Sequence, residues 1–252
     1  MATRTALIIP DLQVPLHDSE YVSKLIDVAE YVSPDILLFI GDLTDSTEVS
    51  RWVKGRPGEF TGNLQDAFDQ TKSIVQRFRA AVGEDCEVIL QDSNHDERTR
   101  KYVEQYAPAL SSLRSLDLES LLGLDRAKVS LVHGVHEFLP GVVSFHGHER
   151  AYTSIPGRWG LLRVVEHGKH IVYGHTHTPG LFVTAQGIGE DRKNLWAMNV
   201  GHGMDMKKAE YLQDGYATWA QGFGVITHDG VNAMPELVVA MDGKFQFDGR
   251  IW

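Results

Sequence analysis

Seven side chains carry most of the chemistry this chain could do: Asp11, Asp42, Asn94, His95, His146, His175 and His177. Carboxylate and amide oxygens with imidazole nitrogens suit Mn, Fe, Zn, Ni or Co, not copper–thiolate or iron–sulfur chemistry. Six or seven such donors are too many for one tetrahedral ion and match two ions roughly 3.5–4 Å apart, with one carboxylate shared. Histidine usage points the same way. Of 12 histidines, 10 lie at or after His133, and imidazole is both a common metal ligand and a common acid or base. The single cysteine, Cys86, excludes an intrachain disulfide and a thiolate-rich zinc site; it reads as a small core or loop residue.

The donors are spaced by the elements that must position them. Ala6 to Ile9 is an apolar run that leads into Asp11, Asp35 to Ile40 one that leads into Gly41-Asp42, and Glu87 to Leu90 one that precedes Asn94-His95. Between them, Tyr21 to Tyr31 and Leu64 to Val82 place apolar residues at helical spacing. This βαβαβ order argues for a parallel sheet with right-handed crossovers, and such sheets bind ligands at the carboxyl ends of their strands. In the second half, short runs at Val129–His133, Val142–His146, Ile171–His175, Leu181–Thr184, Trp196–Val200, Phe223–Thr227, Leu237–Ala240 and Lys244–Phe247 read as a mostly antiparallel region. A helix is expected between Ala151 and Val165, interrupted at Pro156-Gly157. Loops are expected at Lys54–Gly62, Ala185–Lys193 and Gly201–Gly222. The two halves are expected to face each other as two sheets of one domain spanning residues 1–252.

Taken in order, the polar clusters resemble the motif series of the calcineurin-like metallophosphoesterase superfamily. They are Asp11-Leu12-Gln13, Gly41-Asp42-Leu43-Thr44-Asp45, Ser93-Asn94-His95-Asp96, His146-Gly147-His148 and Gly174-His175-Thr176-His177, with Asn199-Val200-Gly201 after them. The first motif, with Pro15 and His17 following, is similar to bacterial and phage members. The resemblance implies a four-layer αββα sandwich of two mixed β-sheets flanked by helices. It implies two divalent transition-metal ions, manganese being the expected activator. Asp11, His177 and Gln13 would hold the first ion, Asn94, His146 and His175 the second, and Asp42 both. His95 would stabilise the transition state or protonate the leaving group, oriented by Asp45. The implied reaction is hydrolysis of a phosphodiester, a cyclic nucleotide among the candidates, or of a phosphomonoester, by in-line attack of a metal-bridging hydroxide.

Two positions depart from the family pattern. Gln13 stands where the family usually has His, so the first site has a neutral, weaker donor; His17 is a candidate substitute. Ser93 stands in place of Gly and tolerates positive φ poorly. Candidate substrate contacts are Arg98, His148, His17 and His202, with Arg150 and Arg158 as further phosphate-binding candidates. Trp159 reads as core, His133 and His136 as structural, and His167, His170 and His228 as surface residues.

A net charge of −10 disfavours a long nucleic-acid track, which needs clustered Lys and Arg, and a small phosphoester is the expected substrate. A non-catalytic metal-binding scaffold that recognises a protein partner and a nuclease acting on nucleic-acid ends remain alternatives. No apolar run approaches the roughly 20 residues of a membrane span, and the short run before Pro10 does not read as a secretory leader. A cytoplasmic protein is expected; its oligomeric state is not legible.

Overall fold

The apolar runs of the first half become strands β1 (Arg4–Ile9), β2 (Ile36–Phe39) and β3 (Glu87–Gln91), in a computed structural model that describes residues 2–50, 54–55, 62–149, 157–208 and 218–252. β1, β2 and β3 pair in parallel. Helices α1 (Ser19–Val32) and α2 (Leu64–Val82) make the crossovers. Both start at side-chain caps that satisfy otherwise orphaned backbone donors. Asp18 accepts from the N–H groups of Glu20 and Tyr21, and Asn63 from those of Gln65 and Asp66.

These strands are apolar at every position because both faces are covered. Leu7, Ile9, Leu37, Phe39, Val88 and Leu90 pack against the helical layer, where Phe39 meets Phe78 edge-on at 5.3 Å. The alternate residues Ala6, Ile8, Ile36, Leu38 and Ile89 pack against the second sheet, through Val142, Val172, Trp196 and Met198. A third cluster, including Phe145, Trp159, Val164, Ile171 and Tyr173, lies beyond that sheet. Helix, sheet, sheet and helix are therefore stacked in four layers, as the sequence led one to expect.

The expected antiparallel second half needs correction. β4 (Val129–Val132) is parallel to β3 and extends the first sheet. β10 (Gly222–His228) crosses back to lie antiparallel to β1, with β11 (Ala233–Val239) outside it. The first sheet thus runs β11-β10-β1-β2-β3-β4. The second contains β5 (His136–Leu139), β6 (Val142–Ser144), β7 (His170–Tyr173), β8 (Gly180–Gln186) and β9 (Lys193–Asn199), in the order β5-β6-β7-β9-β8. Its central strands β6, β7 and β9 are parallel, and only the edges are antiparallel. The reason is α6 (Arg158–His167), which links β6 to β7 as a crossover helix. The described part of that helix starts after Gly157; positions 150–156, Arg150 included, lie outside the described residues, as do 56–61 and 209–217 of the expected loops. The expected loop at Ala185–Lys193 is shorter, since β8 reaches Gln186.

Helices α3 (Arg98–Tyr106), α4 (Leu118–Leu122) and α5 (Leu124–Ala127) have no counterpart in the sequence reading. α3 buries only Thr99, so it carries no apolar stripe to announce it. A small ribbon of β12 (Gln246–Phe247) and β13 (Arg250–Ile251) ends the chain. His228 is buried, not superficial: its Nε2 donates to the Pro140 carbonyl at 3.1 Å and its Nδ1 accepts from Gly230 N–H. His170 stacks on Trp196 at 4.6 Å. No helix among the described residues is long and apolar enough to cross a membrane.

Candidate metal centre

The carboxyl ends of β1, β2, β3, β6 and β7 converge on one edge, and the polar clusters fall there. Asp42, His146 and His175 each offer a ligand atom within 4.8 Å of the others, and so do Asp11, Asp42 and His177. The two groups share Asp42. His146 Nε2 lies 3.2 Å from Asp42 Oδ2, and His177 Nε2 lies 3.1 Å from Asp11 Oδ2. Neither contact has hydrogen-bond geometry.

The backbone pays for this convergence with strain. Gln13, Asp42, His175 and His177 all have positive φ, between 49° and 64°, a region non-glycine residues rarely occupy and which clusters at functional sites. β7 stops at Tyr173, and the left-handed turns at His175 and His177 aim both rings into the edge. Two glycines are required for space. At Gly41 (φ +106°) a Cβ would sit 2.7 Å from His146 Nδ1, and at Gly174 one would sit 2.2 Å from Asp11 Oδ1.

Fit to a metal can be tested on the donors themselves. Buried polar atoms almost always have partners, and exceptions call for an explanation such as an ion. Here Asp11 Oδ1, Gln13 Oε1, Asn94 Oδ1, His146 Nε2, His175 Nδ1 and both ring nitrogens of His177 are buried without a hydrogen bond. The atoms that are paired hold the free ones in place. His146 Nδ1 donates to the Ile40 carbonyl at 2.9 Å, which turns the Nε2 lone pair toward Asp42. Asp42 accepts from His95 N–H at 3.1 Å and from Gln13 Nε2 at 2.9 Å. Asp11 Oδ2 accepts from His175 N–H at 2.8 Å. The oxygen, amide and imidazole set suits a divalent transition metal, and the residues fit one.

Electrostatics agree. Burial by itself would raise the Asp42 carboxyl, but the charges of His146 and His95 outweigh it and hold it well below the usual range. Burial would likewise depress His146, and the Asp42 and Asp11 carboxylates push it up instead. The carboxylates thus demand positive charge beside them. His175, desolvated and next to His146, is lowered to about 3 and presents a neutral ring.

His95 sits at the rim. Its Nδ1 is 3.0 Å from Asp45 Oδ1, and its Nε2 is 2.7 Å from an Arg98 guanidinium nitrogen. Burial would raise Asp45, but the His95 hydrogen bond and the His95 and Arg98 charges lower it. Arg98 also donates to the Asp45 carbonyl at 2.6 Å, while the neighbouring Glu97 pairs with Lys101. His148 packs beside His146 and His175, with ring centroids 5.5 and 6.3 Å away. His202 lies 5.5 Å from the His177 ring, and Trp219 4.3 Å from it. His17 is not in either donor group. It is buried, its Nε2 is 3.4 Å from Ser19 Oγ and its carbonyl accepts from Lys208. Arg158 is exposed at the start of α6, and Trp159 is core, 4.7 Å from the Tyr173 ring.

Two braces escaped the residue-by-residue reading. Asp96 accepts from Leu43 N–H, Thr44 N–H and Ser93 Oγ, tying the loop after β3 to the loop after β2. Burial and the nearby Asp42 push its carboxyl up to about 6. The same bonds absorb the Ser93 departure, since Ser93 does not take positive φ. Asn199 donates to the Gly174 carbonyl and Thr176 Oγ1 and accepts from Gly201 N–H, which props the His175–His177 turn. The sequence signal for both was their place in the motif series.

A family model described as calcineurin-like phosphoesterase matches residues 5–179. The gene 54 proteins of Mycobacterium phages L5 and D29 are each 33% identical to this chain, over 255 and 254 residues, covering 99% of both chains in each case. Among solved structures, Vacuolar Protein Sorting 29 from Cryptosporidium parvum superposes with a TM-score of 0.51 at 14% identity, over 98% of this chain and 96% of that one. At that identity the likeness speaks for the fold.

Proposed function

The chain belongs to the calcineurin-like phosphoesterase family, and from that premise we propose that it is a dinuclear metal-dependent phosphoesterase hydrolysing small phosphoesters. The observation that carries the reading is the pair of donor groups sharing Asp42. Asp11, Asp42, His177 and the Gln13 carbonyl oxygen would hold one ion; Asp42, Asn94, His146 and His175 would hold the other. Bound there, such a pair supplies Lewis acidity to phosphoryl oxygens and lowers the pKa of a water, with manganese the expected activator.

The remaining steps belong to the chain's own groups. Asp45 accepts the His95 Nδ1 proton and so fixes Nε2 as the atom that meets the substrate. Before substrate arrives, Nε2 accepts from Arg98. A phosphate oxygen draws the guanidinium to itself, as a planar fork pairs well with such oxygens; the freed Nε2 lone pair then takes up a proton from solvent water, and the resulting imidazolium, held by Asp45, passes that proton to the leaving oxygen. His148 packs beside the second donor group and His202 beside the first.

The test is to strip the protein, reload it with Mn²⁺, and assay a nitrophenyl phosphomonoester, a nitrophenyl phosphodiester and 2′,3′- and 3′,5′-cyclic nucleotides. Metal-dependent turnover that Asp42→Asn abolishes is expected. Full metal occupancy with no turnover on any of these esters would replace the reading with that of a non-catalytic scaffold.

A further inference from the structure

α3 starts one turn after His95, and its residues at positions i, i+3, i+4 and i+8 form one stripe: Arg98, Lys101, Tyr102 and Tyr106. This stripe is not a core face, since Tyr106 is 46% exposed. It lines a cavity of about 400 Å³ together with Asn94, Glu48 to Ser50 and Lys54. The Tyr102 and Tyr106 rings lie 4.8 Å apart, tilted by 50°, and Lys54 Nζ sits 3.4 Å from the Tyr106 ring centroid. None of these aromatic groups has a part in phosphoryl transfer.

We propose that this cavity receives the leaving group of the substrate and that the leaving group is a nucleoside or nucleotide. The inference rests on the phosphoesterase reading and names its substrate class. Position argues for it first. Arg98, which lines the cavity, touches His95 Nε2 at 2.7 Å, so an ester oxygen held at Nε2 adjoins this cavity. Chemistry argues next. Tyr102 and the Tyr106 face that Lys54 does not cover offer stacking surface that suits any base, the Glu48 carboxylate can accept from an exocyclic amine, and Lys54 places positive charge where a further phosphate would lie. A phosphorylated serine would leave the rings unused. The volume is that of a small-molecule site. The net charge of −10 favours a single nucleotide over a long strand.

The experiment measures the leaving group itself, which no state of the enzyme can hydrolyse. Manganese-loaded protein is titrated in a calorimeter with adenosine, thymidine and ribose, and with a tetranucleotide lacking a terminal phosphate. Both nucleosides are expected to bind where ribose does not. Tyr106→Ala and Tyr102→Ala should each weaken nucleoside binding about 5- to 150-fold, the span of one lost base–aromatic stack, while Tyr106→Phe retains it and metal content stays constant in all variants. A tetranucleotide binding no tighter than adenosine assigns the site to single nucleotides; one binding tenfold tighter assigns it to strand ends. Equal binding of ribose and nucleosides, no nucleoside binding, or unchanged affinity in both alanine variants overturns the proposal. Nucleoside binding without hydrolysis of any ester would leave the cavity assignment standing and remove the phosphoesterase reading.

Discussion

The histidines around Asp42 are sorted by what their second nitrogen touches. His146 donates Nδ1–H to a carbonyl, so its Nε2 presents a lone pair. His202 does the reverse: its Nδ1 accepts from Met204 N–H at 2.9 Å, so its Nε2 carries the proton and suits an anionic oxygen, not a cation. His95 is set apart by the Asp45 carboxylate. His95→Ala should therefore keep full metal content, read by elemental analysis, and lose about 10²–10⁴ in kcat, the usual worth of a positioned acid. Gln13 is the weak point of the first metal site we propose, because its amide nitrogen is committed to Asp42 and only a neutral oxygen remains. Gln13→His should tighten the weaker of two metal-binding events by about tenfold or more, a scale set by single supporting contacts at metal sites. Calorimetric metal titration checks it; unchanged affinity would remove Gln13 from the ligand set.

At the scale of elements, the site is made where strands end. Gly174 follows β7 with no room for a side chain beside Asp11. Gly174→Ala should push the Asp11 carboxylate out of place, cost about 1–3 kcal/mol by overpacking, and abolish one metal-binding event in the same titration. The start of α1 offers a test remote from the metal. Burial works to raise the Asp18 carboxyl, but N–H bonds from Tyr21 and Glu20 and the Gln221 amide lower it below its ordinary 3.8. A carboxyl depressed in the folded state stabilises fully above the unfolded pKa and loses that contribution as pH falls through the folded one. Asp18→Ala should thus cost about 0.5–2 kcal/mol at pH 7, with the gap to the parent narrowing below about pH 4. Urea midpoints at pH 7 and pH 3 decide it.

For the whole molecule, metal and fold are linked. The donors come from both sheets: Asp11, Asp42 and Asn94 follow strands of the first, His146 and His175 strands of the second. An ion bound there bridges the two layers and binds only the folded chain. At a hundredfold excess over Kd it should stabilise by about 2.7 kcal/mol, which for a chain of this size raises Tm by about 5–11 °C. Thermal melts with Mn²⁺ and with chelator measure the shift, and Asp42→Asn should erase it. A shift that persists in Asp42→Asn would place the stabilising ion elsewhere.

The sequence by itself determined the elements whose apolar runs are buried on both faces, and the order of donors at their ends. Leu64–Val82 was legible to its last residue, because a helix packed on a sheet must repeat its apolar positions and be capped. Strand direction was not legible. Val129–Val132 and Gly222–His228 look alike as apolar runs, yet one lies parallel to its neighbour and the other antiparallel, a choice made by crossovers and by which edge of the first sheet is left open. Nor could spacing show that His175 and His177 turn inward through left-handed backbone, that Arg98 caps His95, or that α3 walls a cavity with tyrosines. Those depend on side chains far apart in sequence meeting at one edge, and only the packing of two sheets brings that edge together.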